Sequence, residues 1–287
     1  MTFSEKTCRK FFLYGLAVTT RLISDLPFGL LAVYLFFQRK GMDWIPAGLE
    51  NSVYRLLSDV PIAPWFIENF IQKDGSGGLY DALANAGIFT AFCSVHSFLA
   101  RDFTKKIIAK AIDTKYIRSL YSIIAGITLF LLIYSWRPLT GTLWATSGIL
   151  FWIITAMYCG VLLLFLITMS QIDYMDFLGI RSLLREKGDT PAISYQFTVR
   201  GIFAHCRHPL YLITIASFWI APVMTYERLE FTILATFYFI IGAFFEERNM
   251  QRDLGAVYSQ YKKHVPMWIP RITPWRPDRQ SSLSADG

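Results

Sequence analysis

Two short stretches of this chain gather titratable side chains where everything around them is apolar. Residues 204–212 read Ala-His-Cys-Arg-His-Pro-Leu-Tyr-Leu, and residues 245–249 read Phe-Glu-Glu-Arg-Asn. Arginine offers a rigid fork of N–H donors, histidine offers a donor and an acceptor, and a carboxylate only accepts. If Arg207 and His208 meet Glu246 and Glu247, they form a compact cluster of opposite charges at the edge of an apolar region. Such a cluster is either an ion pair that locks two helices or a clamp for a small polar molecule. A metal centre is not expected. His205, Cys206 and His208 supply three local ligands, and no further Cys/His pair completes a closed zinc site.

The elements between the two stretches decide whether they meet. Pro209 suits the first turn of a helix, where its missing N–H costs nothing. The apolar blocks 209–224 and 230–245 flank the sequence Thr-Tyr-Glu-Arg-Leu-Glu and read as a helical hairpin. Arms of about 16–18 residues at 1.5 Å per residue reach about 25 Å, which returns Glu246 and Glu247 to the level of Arg207 and His208. Beyond them, Leu254, Tyr258 and Tyr261 repeat at helical spacing, so an amphipathic helix is expected along or under the cluster.

Four further apolar blocks, 11–37, 79–100, 118–136 and 148–169, are long enough to cross about 30 Å of hydrocarbon. Of the 287 residues 54% are hydrophobic and only 17% charged, against about 25% charged in soluble domains. The expected fold class is all-α: a polytopic transmembrane helical bundle of five to six spans, with a C-terminal helical hairpin and an amphipathic cytosolic helix. The division expected is an N-terminal helix and external loop over 1–78, a core over 79–271 and a disordered tail over 272–287. The net charge of +7 does not indicate nucleic acid, because the basic residues lie between apolar blocks. Arg101, Lys105, Lys106, Lys110, Lys115 and Arg118 crowd into 101–118, and Arg181, Arg185, Lys187, Arg200 and Arg207 into 170–208. Residues 137–147 hold only Arg137. This asymmetry places both termini in the cytosol, with 38–78 and 137–147 outside. The first span is read as uncleaved, since Arg21 and Asp25 interrupt it and no small-residue cleavage site follows. Arg21 and Asp25 stand four apart and are expected to neutralise each other. The four cysteines show no paired spacing, so neither a disulfide framework nor a zinc module is expected.

The stretches Arg-His-Pro-Leu-Tyr and EERNMQRDLGAVYSQYKKHVPMWIPR resemble the signature of the isoprenylcysteine carboxyl methyltransferase-like membrane methyltransferases. VHSFLARDFTKK (95–106), WRPL (136–139), DFLGIRSLL (176–184), RHPLYLITIASFWIAPVMT (207–225) and VPMWIPR (265–271) narrow the resemblance to the methanethiol S-methyltransferase and NnrU-like branch. It covers about residues 80–271. The resemblance implies methyl transfer from S-adenosyl-L-methionine to a small thiol, with the cofactor held between Arg207–Pro209 and the Glu246–Glu247 pair. The residue types suit that molecule. Arg207 matches its carboxylate, Glu246 or Glu247 its ribose hydroxyls or ammonium, His208 a further hydrogen bond, and Tyr211 lines the pocket one turn deeper. Arg200, Gly201 and His205 are weaker candidates in the approach loop. No dinucleotide-type glycine fingerprint follows a strand, so a soluble Rossmann methyltransferase is not indicated.

Methyl transfer to sulfur is an in-line displacement, so alignment of thiolate and methyl donor supplies much of the rate. His208 and His96 are the catalytic candidates. His96 lies within a span, where an ionisable residue is unusual, and it either stabilises the thiolate or hydrogen-bonds a neighbouring helix. Asp176 is expected to order its loop, and Cys206 to be a bystander, since no covalent enzyme intermediate is needed. Membrane lipid is the expected surrounding partner. The alternatives are a lipid-like or prenylated acceptor, and a non-catalytic scaffold resembling nurim.

Overall fold

The computed structural model describes residues 3–37, 76–184, 199 and 201–276. The readings of 38–75 as an external loop, of Arg185, Lys187 and Arg200, and of 277–287 as tail fall outside them. The described chain is helical: α1 (Phe3–Phe37), α2 (Leu79–Ala100), α3 (Asp102–Ile108), α4 (Thr114–Ser135), α5 (Gly148–Met169), α6 (Tyr174–Phe177), α7 (Ile180–Leu184), α8 (Pro209–Trp219) and α9 (Tyr226–His264). Each of the six apolar blocks contains a helix, but that of 209–224 is helical only to Trp219. Among the described residues, α2, α4, α5 and α9 are long and apolar enough to cross a membrane, and the chain is an integral membrane protein. In α9 the apolar run ends at Phe245, about 30 Å of helix from its start; Glu246 onward lies beyond the span.

The chain divides into two units. The first comprises Met1–Thr155, Asp173–Lys187 and Ala221–Leu234, and the second Ala156–Ile172, Gly188–Ile220 and Ala235–Gly287. In the first, α1 packs on α4 at Gly126, where a methyl group would overlap the Ile23 carbonyl. Ser24 Oγ donates to the Ser122 carbonyl at 3.2 Å on the same seam, the small-residue contact by which membrane helices approach closely. Asn85, fully buried, accepts from the Arg137 amide at 2.7 Å and donates to the Arg137 carbonyl and Glu230 Oε2, each at 2.9 Å. One amide thus fastens α2, the WRPL segment and the start of α9.

Residues 142–145 and 223–225 form a two-stranded antiparallel ribbon, β1 and β2, which sequence patterning did not indicate. It shortens the first hairpin arm. Instead of running to near Pro222, α8 ends at Trp219 after 11 residues, about 16 Å, because the chain turns into extended pairing: Thr146 N donates to the Pro222 carbonyl at 2.9 Å. In the second unit α8 still packs against the following helix. Trp219 Nε1 donates to Thr236 Oγ1 at 3.1 Å, and the rings of Tyr211 and Phe239 lie 5.2 Å apart.

The expected amphipathic helix is present, but it is not collinear with the span. Gly255 interrupts α9 with φ 52° and ψ −119°, a left-handed conformation that favours glycine. Residues 256–264 therefore leave in a new direction as a short arm. Tyr258 and Tyr261 are buried on it together with Val265, against Met250 and Leu254.

Candidate functional site

The second unit brings Arg207, His208, Glu246 and Glu247 together. Backbone pairing fixes the mouth of α8 first. Arg207 N donates to the Pro266 carbonyl at 3.0 Å, His208 N to Met267 O at 3.3 Å, and Arg271 N to His205 O at 3.0 Å. The VPMWIPR segment thus lies along residues 205–208. Tyr261 adds a hydroxyl bond to Phe203 O at 2.7 Å. Pro209 takes the first helical turn of α8, as expected.

Glu247 is the hub. Its carboxylate, 7% exposed, accepts from Arg207 Nε at 2.8 Å and Nη2 at 3.2 Å. It also accepts from Tyr258 OH at 2.7 Å, forms an ion pair with Lys262 Nζ at 3.3 Å, and meets His208 Nε2 at 3.0 Å. Burial raises its proton affinity, but hydrogen bonds from Tyr258, Arg207 and His208 outweigh burial and bring its pKa down to about 2,. Since an ionised carboxylate only accepts, the proton in this bond belongs to His208 Nε2. Arg207 spends its remaining reach on backbone: Nη1 donates to Lys262 O at 3.2 Å and Val265 O at 2.6 Å. The Arg207–Glu247 pair is therefore a bidentate lock between the mouth of α8, the end of the α9 span and the arm.

Glu246 differs from its neighbour. Its side chain is 40% exposed, and Oε2 stands 3.6 Å from His208 Nδ1. That gap is too long for a hydrogen bond. It is short enough for one hydroxyl to bridge both groups. Tyr211 stacks on the His208 imidazole with centroids 5.4 Å apart, and Trp268 lies 5.9 Å from it. An open carboxylate, an imidazole nitrogen and two aromatic rings together suit a molecule that carries hydroxyls or an ammonium and a flat ring.

The remaining candidates are placed as follows. Cys206 is fully buried; burial raises its thiol pKa, and Sγ donates to Met267 O at 3.1 Å. His205 Nδ1 contacts Arg271 O at 2.7 Å, so it serves the backbone bracket. His96 belongs to the first unit. Its Nε2 lies 2.7 Å from Tyr121 OH, and its ring faces Phe92 at 5.7 Å. Asp176, also in the first unit, accepts from Arg118 Nη1 at 2.6 Å while its carbonyl accepts from the same group at 2.9 Å. It orders its loop. Arg21 and Asp25 form the expected pair at 3.3 Å, and Asp25 also receives the Tyr174 hydroxyl. Among the described residues no group of three His, Cys, Asp or Glu is arranged to hold a metal ion. Sequence reasoning did not single out Lys262 or Trp268. Nothing in their spacing signals them, because the break at Gly255 and the backbone pairing of 265–271 put them there.

The chain is similar to known proteins over most of its length. Methanethiol S-methyltransferase 2 of Bradyrhizobium diazoefficiens is 33% identical over 191 residues, 66% of this chain and 73% of that protein. The methanethiol S-methyltransferase of Crocosphaera subtropica is 28% identical over 212 residues, 72% and 82% of the two chains. Nurim of Danio rerio is 26% identical over 172 residues, covering 54% of this chain and 59% of nurim. No family model matches the chain, and no solved structure matches it.

Proposed function

This chain belongs to the methanethiol S-methyltransferase family, and we propose that it uses S-adenosyl-L-methionine to methylate methanethiol, giving dimethyl sulfide. The bound cofactor supplies an electrophilic methyl group on a sulfonium. The acceptor thiol would take that methyl on its sulfur and release its proton to solvent.

One observation carries the cofactor assignment: of two adjacent glutamates, Glu247 is consumed by the lock and Glu246 is left open beside His208 Nδ1. Glu246 and His208 then take hydroxyls or the ammonium of the cofactor, and Tyr211 and Trp268 flank its flat ring. Arg207 acts mainly through Glu247, which holds the imidazole in one orientation. Pro209 sets the start of α8, so the His208 backbone is fixed before any ligand arrives. His96, hydrogen-bonded to Tyr121, supplies a polar group for the thiol within an apolar span. Little base strength is needed there, since a thiol ionises near pH 8–9. The protein sits in a bacterial inner membrane, surrounded by lipid, with both termini in the cytosol where the cofactor is made.

The test is direct. Membranes containing the full chain receive methanethiol and the cofactor, and headspace gas chromatography reads dimethyl sulfide. Methylation of a prenylcysteine with no dimethyl sulfide would overturn the acceptor while leaving methyl transfer standing. Absence of cofactor binding to the purified chain would overturn both.

A further inference from the structure

Helix α3, which joins spans α2 and α4, takes no part in the site around Glu247. Its direction is set at Arg101, where extended backbone (φ −70°, ψ 140°) ends α2. Thr104 Oγ1 then bonds back to the Phe98 carbonyl at 2.7 Å. The connector thus bends off the end of α2 at once, and a link between two packed spans lies at a membrane boundary. Its apolar side chains face two ways. Thr104 and Ile108, one turn apart, are buried and half-buried. Phe103 and Ile107, also one turn apart, are 65% and 48% exposed. Lys105, Lys106 and Lys110 stand exposed around this wedge, with Arg101 and Lys115 at its two ends. The only acids in 101–118 are Asp102 and Asp113, 3.8 Å from Lys105 and 4.0 Å from Lys115. Arg118 pairs with Asp176 outside the segment, and among the described residues Lys106 and Lys110 have no carboxylate within 4 Å.

We propose that α3 and its lysines form a docking surface for anionic phospholipid headgroups. Phe103 and Ile107 enter the boundary between headgroups and acyl chains, while Lys105, Lys106 and Lys110 hold the phosphates. The charge selects this occupant. A second copy of the same basic surface would be repelled, and a free phosphate would leave Phe103 and Ile107 uncovered. An anionic bilayer satisfies both groups at one depth, the arrangement that seats interfacial amphipathic helices. Each Lys or Arg near an anionic surface adds attraction that salt screens. The inference goes beyond the general lipid contact of the spans and does not depend on methyl transfer.

Native mass spectrometry of the full detergent-purified chain, given phosphatidylglycerol and phosphatidylcholine in equal amounts, reads the preference. The wild-type chain is expected to retain phosphatidylglycerol preferentially. K105Q/K106Q/K110Q is expected to lose that preference by about tenfold or more. A chain with R248Q/R252Q/K263Q, which removes as many positive charges elsewhere, is expected to keep it. F103S/I107S, with all charges intact, is expected to weaken retention, and soluble glycerophosphate is expected not to compete. Equal retention of the two lipids by the wild-type chain would overturn the proposal. So would an undiminished preference in K105Q/K106Q/K110Q, displacement by glycerophosphate, or a dimer abolished by F103S/I107S.

Discussion

Tyr258 donates its hydroxyl to Glu247 at 2.7 Å although the two stand eleven positions apart in one helix. A straight helix would place those two positions about 16 Å apart. The break at Gly255 folds the arm back and makes the bond possible, so the carboxylate at the end of a membrane span is closed over by residues that follow it in the same helix.

Gly255→Ala tests that break. The added methyl meets nothing within 4 Å, so the cost is backbone strain alone, about 1–3 kcal/mol. The variant is expected to melt earlier and to be cut faster by trypsin at Lys262 and Lys263, which are exposed but stand on a packed arm. An unchanged melting temperature with an equally protected arm would contradict this account of the arm.

Glu246→Ala and Glu247→Ala are expected to fail in different ways. Loss of a charge-assisted hydrogen bond of about 1.5–3 kcal/mol should weaken S-adenosyl-L-methionine by about tenfold or more in Glu246→Ala, with little change in stability. Glu247→Ala leaves the buried Arg207 guanidinium without its partner, which costs about 3–5 kcal/mol. That variant should lose thermal stability as well as affinity. Calorimetry and cofactor titration on the purified chain separate the two, and unchanged affinity in both variants would remove the cofactor assignment.

Acid should open the lock. The Glu247 carboxyl is held near 2, below the ordinary 4.5, so the folded state favours its ionised form. That contribution is complete above about pH 4.5 and is lost as pH falls toward 2. Melting temperature should be level from neutral pH to about 5 and decline below it, with a smaller decline in Glu247→Gln. A wild-type chain that keeps its stability down to about pH 2 would argue against the ionised hub.

The two histidines should separate in an activity assay. His208→Ala removes the imidazole that Glu247 orients and should abolish dimethyl sulfide formation. His96→Ala should lower it more mildly, and Tyr121→Phe should follow His96→Ala if the pair at 2.7 Å acts as one polar group. Full activity in His208→Ala would move the chemistry elsewhere.

Cysteine labelling tests orientation. Substitutions at Ser76 and Thr142 should react with an impermeant maleimide from outside intact cells, above the background of the unsubstituted chain. Ser182→Cys should react only after permeabilisation. External labelling at 182 would invert the topology and put the lysines of α3 on the other leaflet.

The large elements were legible in the sequence because apolar length has few structural outcomes: each of the six blocks forms a helix over all or most of its length. Pro209 at the first turn of α8, and the return of Glu246 and Glu247 to Arg207, followed from helix rise and a hairpin. What could not be read depends on backbone. The pairing of β1 with β2 ends α8 at Trp219, and its bonds run through main-chain groups that every residue has. Gly255 stood inside a pattern of tyrosines at helical spacing, and periodicity reports which side of a helix is apolar without reporting that its axis turns. The separate duties of Glu246 and Glu247 also follow from rotation: adjacent helical residues point about 100° apart, so one meets Arg207 and the other is left open.

Cys206 acquires a meaning from its neighbourhood. A catalyst that binds a reactive methyl donor and accepts thiols as substrates carries its own sulfur one residue from Arg207. That sulfur is fully buried, burial holds its proton on, and it points at the Met267 carbonyl. Self-alkylation requires an exposed thiolate, and the same backbone bracket that fixes Arg207 and His208 denies Cys206 both exposure and ionisation.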